Sequence, residues 1–209
     1  MKIFDISLEI SEKMVSYPGD RKFAINKVLD LKKSDPVNLS EISMNVHTGT
    51  HLDVPKHYIT NSESITDINP DRFFGNAKVF DFTRIEMGTG ITETDLSTLE
   101  IKKDDIILFK TKNSEINNTI FKEDFVYLAQ EGAVYLASKK IKSVGIDYLS
   151  IGKYKEDEKT HITLLENNIL IYEGLNLKGI NSGEYLFCGF PLRIKESEGA
   201  PVRAVLLQK

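Results

Sequence analysis

Short apolar runs rich in β-branched residues, separated by charged or turn-forming residues, recur along the whole chain. They are KIFDISLEI (2–10), EISMNVH (41–47), AKVFDF (77–82), DIILFKT (105–111), KSVGID (142–147), NILIYEGL (168–175), EYLFCGFPLRI (184–194) and RAVLLQ (203–208). Their lengths and flanks predict seven or eight strands. Within EISMNVH, Ile42, Met44 and Val46 alternate with Ser43, Asn45 and His47, the period of a strand with one buried face that ends at His47 on its polar side. Helical spacing is confined to two stretches. In AQEGAVYLASKK (129–140), Ala133, Leu136 and Ala137 share a face and lysines fill the last turn. In THITLLENN (160–168), Thr160 stands where an N-cap belongs. The charged run GKYKEDEKT (152–160) reads as a solvated loop or flap, with Glu156, Asp157 and Glu158 facing water. Many short strands and few helices predict an α/β fold around a mixed sheet. Because no 20–50-residue period and no low-complexity tract interrupts it, one domain is expected over residues 1–209.

Composition narrows the picture without changing it. A chain of 209 residues, 41% of them hydrophobic, can bury one sizeable core. The net charge of -4, with lysines and acids intermixed, leaves no basic face for a nucleic acid backbone. Charges break MKIFDISLEISEKM every few residues, and no later apolar run approaches spanning length, so neither a signal peptide nor a membrane segment is expected. The expectation is a soluble cytoplasmic protein. Cys188, the single cysteine, has no intrachain partner and sits in an apolar run, which predicts a buried structural thiol.

Three of the four histidines fall within HTGTHLDVPKHY (47–58), and this clustering is the strongest chemical signal in the chain. Gly49 and its flanking threonines disfavour a helix and predict a turn at Thr48–Thr50. Beyond that turn, His51 and Asp53 are two apart, so an extended backbone points both side chains the same way until Pro55 stops it; His57 follows the break. Such a turn aims imidazole and carboxylate at one point, the common ligand set for zinc, manganese and iron. A metal of this kind supplies hydroxide at neutral pH and polarises a carbonyl, which suits hydrolysis of an amide or ester. Expulsion of an amine also needs a proton donor, and His57, with an ordinary histidine pKa of about 6.5, is the group available. No Gly-x-Ser-x-Gly elbow is present, and no histidine neighbours Cys188 in sequence, so covalent catalysis has no visible apparatus. Two other readings stay open: a non-haem iron oxygenase using His51, Asp53 and distant His161, and a metal-binding protein without catalysis, which would not need His57.

The pattern His-x-Gly-Thr-His-x-Asp-x-Pro-x-His resembles the signature of the metal-dependent cyclase-family hydrolases, which include bacterial kynurenine formamidases and isatin hydrolases. DISLEISEKMVSYPGD, SVGIDYLSI and GFPLRIKESEGAPVRAVLL are similar to that family's N-terminal, internal and C-terminal segments. The resemblance implies a swivelling β/β/α fold, a homodimer or tetramer, and two divalent metals per chain, zinc or manganese. It implies that His47, His51 and Asp53 hold one ion, that Asp53 bridges to a second held by His161 and Glu173, and that His57 is the general acid/base. It also implies a small amide or cyclic amide substrate, possible arylformamidase activity on N-formylkynurenine, and a substrate-enclosing role for Tyr17, where kynurenine formamidases usually carry tryptophan.

Overall fold

The computed structural model describes residues 1–116 and 119–208. Its strands are β1 (Lys2–Asp5), β2 (Ala24–Leu29), β3 (Leu39–Ser43), β4 (His51–Asp53), β5 (Phe74–Asp81), β6 (Gly90–Ile91), β7 (Ile106–Lys110), β8 (Tyr127–Leu128), β9 (Ser143–Ile146), β10 (Leu170–Glu173), β11 (Gly183–Cys188), β12 (Gly199–Pro201) and β13 (Val205–Gln208). Three α-helices accompany them: α1 (Glu93–Ser97), α2 (Gln130–Lys139) and α3 (Glu158–Glu166). Nine strands form one mixed sheet in the order β1-β13-β11-β5-β7-β9-β10-β4-β12. The central run β5-β7-β9-β10 is parallel, and the flanking pairs are antiparallel. This is the α/β, single-domain, helix-poor architecture that the hydrophobic pattern predicts.

Strands β7, β9 and β10 at the centre of the sheet are buried on both faces, which explains why they read as continuous apolar runs rather than alternating ones. In β7, Ile106 and Leu108 pack with Leu52, Val79, Tyr172 and Phe187 on one face, while Ile107 and Phe109 pack with Val144, Ile171 and the helices on the other. Helix α2 contributes Ala133 and Leu136 to that second layer, and α3 contributes Leu164 and Leu165. Each fully buried leucine or isoleucine contributes about 1.5–3 kcal/mol, so the two layers fix the sheet on which the site is built.

Several expectations need correction. The described residues hold thirteen strands rather than seven or eight, because β2, β4, β6, β8 and β12 are too short or too polar to stand out in sequence. KIFDISLEI forms a strand only over Lys2–Asp5. EISMNVH leaves its strand at Ser43, four residues before His47, and Ile42 is 58% exposed rather than buried. That strand belongs to a separate hairpin, β2-β3, outside the main sheet. Thr160 is not the cap of α3: the helix starts at Glu158 with Asp157 in the cap position, and the Thr160 hydroxyl donates to the Leu128 carbonyl at 3.4 Å. Cys188 is half-buried at the end of β11 rather than enclosed.

Candidate metal centre

Strand alternation and one helix turn build the site. Leu52 and Tyr172 face the first core layer and Ile171 the second, so His51, Asp53 and Glu173 turn toward the face that α3 covers. Antiparallel pairing of β4 with β10 sets His51 directly opposite Glu173, and Asp53 opposite Ile171. On α3, Thr160, His161, Leu164 and Leu165 form the buried stripe, so His161 enters the same layer at an otherwise apolar helical position. The site thus lies where β10, a strand of the parallel run, ends and the first turn of α3 begins, a common place for ligands in α/β sheets.

The turn before β4 depends on close backbone approach. Gly49 has φ +68, and Gly174, just after Glu173, has φ +64 with its Cα packed so tightly that a Cβ would lie 2.3 Å from the Gly49 carbonyl oxygen. Any side chain at Gly174 would separate the two strands that carry His51 and Glu173. The Thr50 hydroxyl donates to the Gly174 carbonyl and closes this contact.

All five predicted ligands converge. His47, His51 and Asp53 each offer a ligand atom within 4.8 Å of the others, and so do Asp53, His161 and Glu173, with Asp53 common to both groups. The His51 and His161 rings each donate through Nδ1 to a backbone carbonyl, that of Gly49 at 2.9 Å and that of Asp157 at 2.9 Å. Their Nε2 atoms then face carboxylate oxygens: His51 lies 3.3 Å from Glu173 Oε2, and His161 lies 3.1 Å from Glu173 Oε1. A neutral imidazole would there oppose its lone pair to a carboxylate, so a proton or a metal cation must sit between them. In the metal-free chain it is a proton. Burial alone would lower both imidazoles, but the hydrogen bond to Glu173 and the charges of Asp53 and Glu173 prevail and raise each pKa to about 9. Glu173 is held below its ordinary value although burial and Asp53 oppose this, because His161 and His51 hydrogen-bond to it. Asp53 is likewise lowered against burial, chiefly by His47.

Asp53 supplies the observation that favours a metal over protons alone. It is 1% exposed, yet neither carboxylate oxygen has a hydrogen-bond partner among the described residues. His47 Nδ1 approaches Oδ1 at 2.8 Å but not in hydrogen-bonding geometry. A buried carboxylate with both oxygens unsatisfied costs several kcal/mol unless a cation meets it. Two imidazoles beside one such carboxylate, with a third imidazole and a second carboxylate across it, fit divalent metal in the number and type of donors.

His57 stands beside these ligands rather than among them. It lies in the 3-10 turn Pro55–His57, its ring 4.2 Å from that of His47 and 6.2 Å from that of His161. Burial lowers its pKa; Asp53 pulls the other way, and His47 and His161 add to the lowering. The side chains border a cavity of about 180 Å³ that is also lined by Tyr17, Asp20, Tyr58, Leu149, Ser150 and Asp157. Tyr17 lines this cavity, and its ring packs edge-on against Phe121 at 5.4 Å and Tyr154 at 5.9 Å. A larger hollow of about 560 Å³ between Lys78, Tyr185 and Leu207 offers no histidine and belongs to another face.

Sequence reasoning missed three contributors. Asp157, read as part of a solvated run, lines the cavity and supplies the carbonyl that orients His161. That contact uses the backbone carbonyl at the helix cap, which any residue would supply, so the side chain at 157 carries no signal for it. Tyr58 stacks on His161 at 4.8 Å, and Ile151 N–H donates to Glu173 Oε1 at 2.6 Å. Nothing in the local sequence around Ile151 announces that contact.

Comparison with known proteins gives a consistent result. The family model described as "Putative cyclase" matches residues 4–153, which include Tyr17 and the whole histidine motif but stop short of His161 and Glu173. Kynurenine formamidase of Bacillus cytotoxicus is 28% identical over 97% of this chain and 95% of its own. The solved structure of a predicted metal-dependent hydrolase from Bacillus stearothermophilus is 35% identical, with a TM-score of 0.86 over 98% of this chain and 97% of that one. Isatin hydrolase A from Ralstonia solanacearum has the same fold, with a TM-score of 0.87 at 21% identity over 99% of this chain and 92% of its own.

Proposed function

This chain belongs to the cyclase family, and from that premise we propose that it is a divalent-metal-dependent hydrolase of a small amide or cyclic amide, with N-formylkynurenine the first candidate substrate. The observation that carries the reading is the convergence of His47, His51, Asp53, His161 and Glu173, all but Asp53 lining one cavity, with His57 beside them but outside the ligand groups. Two divalent ions, zinc or manganese, would be held by these five residues with Asp53 between them. Metal so held lowers the pKa of bound water toward about 7 and polarises a carbonyl oxygen.

The chain's own side chains do the rest. His57 is neutral near pH 7, since its pKa is lowered. It can take a proton during attack and return it to the departing nitrogen, the two-way transfer that amide cleavage requires. Tyr17, braced by Phe121 and Tyr154, offers a ring face or edge against an aryl group and narrows the entrance to water. The Ile151 N–H and the Gly174 turn keep Glu173 aimed at His51 and His161.

The decisive experiment is hydrolysis of N-formylkynurenine, then of isatin, without oxygen. Formate or ring-opened product is expected with water as the only co-substrate. Oxygen consumption without hydrolysis would support the iron-triad reading of His51, Asp53 and His161. Metal binding with no turnover of any formamide, lactam or ester would support a binding protein.

We also propose that the protein is a homodimer or a larger symmetric assembly. Hairpin β2-β3 is separate from the main sheet, and a two-stranded ribbon is marginal in water by itself. It leaves Ile25 50% exposed directly opposite Ile42, with Val28 and Leu39 also exposed nearby. The occupant we assign to this ribbon is the same ribbon of a second copy, since a patch with one residue type on both strands can meet itself across a two-fold axis. Light scattering should give a multiple of 23.7 kDa at micromolar concentration. The double variant Ile25→Lys, Ile42→Lys should shift it toward monomer. A monomeric wild type would refute the assembly.

A further inference from the structure

We infer that Glu198 is a positioning residue for the metal centre, the group that fixes the proton of His47 on Nε2 and thereby turns Nδ1 toward Asp53. The inference rests on the metal reading of the site. Each of the other two ligand histidines has its remote ring nitrogen anchored: His51 by the Gly49 carbonyl and His161 by the Asp157 carbonyl. His47 has no carbonyl in that position. Its Nδ1 faces Asp53 Oδ1, so with a divalent ion held at Nδ1 the one ring proton would sit on Nε2, which is buried and has no hydrogen-bond partner among the described residues. An N–H left in that state costs about 1–3 kcal/mol. The carboxylate that the structure places nearest is Glu198, whose Oε1 stands 3.8 Å from His47 Nε2. The side chain is 43% exposed, so a small rotation toward the ring is open to it.

Strand β12 explains why this residue is available. It pairs with β4 so that Gly199 lies opposite Asp53, and the Glu198 carbonyl accepts a hydrogen bond from Val54 N–H at 3.1 Å. Gly199 provides the floor for His47: a Cβ there would lie 2.7 Å from His47 Cε1. The imidazole is therefore held between Gly199 and the His57 ring, with its edge toward Glu198. A carboxylate that accepts the remote N–H of a ligand histidine fixes its tautomer and makes the other nitrogen a stronger donor to metal.

The test titrates the full-length, zinc-loaded chain with a chromophoric chelator that resolves the two affinities. Glu198→Ala should weaken one ion by roughly 10–100-fold and leave the other nearly unchanged. Glu198→Gln, which still accepts a hydrogen bond but carries no charge, should fall between wild type and Glu198→Ala. Long-range 1H–15N spectra should place the His47 proton on Nε2 in the wild type. Wild-type affinities in Glu198→Ala, equal weakening of both ions, or a His47 proton on Nδ1 would overturn the inference. A wild-type chain that binds no zinc would overturn the metal reading instead, so the two failures are distinct.

Discussion

Replacing Asp53 with alanine is expected to abolish turnover and to reduce bound divalent metal from the proposed two ions per chain to one or none, with His51→Ala next in severity. Asp53 is the member common to both ligand groups, so its loss removes an oxygen donor from each. His51 belongs to one group only, but it also faces Glu173 of the other at 3.3 Å. Both losses should exceed the roughly 10–100-fold cost of removing a partner that only orients a ligand. Elemental analysis of purified wild type and variants reads the metal content directly. Metal-free wild type with full activity, or variants with undiminished metal, would sink the proposal. Circular dichroism must accompany the measurement, because Asp53→Ala leaves His51 and His161 buried without one of their charge partners, and breaking such a cluster costs about 3–5 kcal/mol. The same geometry sets the pH dependence. In the metal-free chain His51 and His161 hold protons up to about pH 9, whereas a metal needs both imidazoles neutral. Protons must therefore leave as metal binds. Observed affinity should rise with pH until about 9, with proton release measurable by calorimetry in buffers of different ionisation enthalpy.

His57→Ala should behave differently: it should keep most of its metal yet lose roughly a hundred- to ten-thousand-fold in kcat on an amide. The separation follows from position, since His57 stacks against His47 but belongs to neither ligand group. The defect should also depend on the leaving group. An activated ester departs with little protonation and should be hurt far less than an amide of the same acyl group. Equal losses on both substrates, or metal depletion like that of His51→Ala, would make His57 a ligand or a packing residue and end its assignment as acid/base.

Those predictions draw on both local and long-range sources of information. The turn, the two-residue spacing of His51 and Asp53, and the break at Pro55 were legible because they follow from backbone rules acting over a few residues. The same rules failed at EISMNVH. Apolar alternation there was real, but Ile42 faces water in an isolated hairpin, because periodicity marks a two-faced strand without saying whether anything covers it. Helix α1 was missed although Thr92 and Asp95 cap it reciprocally, a signal present in ITETDLS but carried by only five helical residues.

What the sequence by itself determined was the class of fold, the opening turn and the types of side chain available for metal. Each depends on local propensity or on composition, which a linear chain displays. The tertiary structure alone decided that Glu173 stands opposite His51, that α3 with its cap residue Asp157 brings His161 to the same layer, and that Glu198, just before edge strand β12, stands 3.8 Å from His47. The pairs His51–Glu173 and His47–Glu198 join segments more than a hundred residues apart, and the registers of β4 with β10 and β12 fix them. A slip of one residue in β10 would turn Glu173 to the opposite face, so the burial of Leu170 and Tyr172 on one side holds the carboxylate on the other.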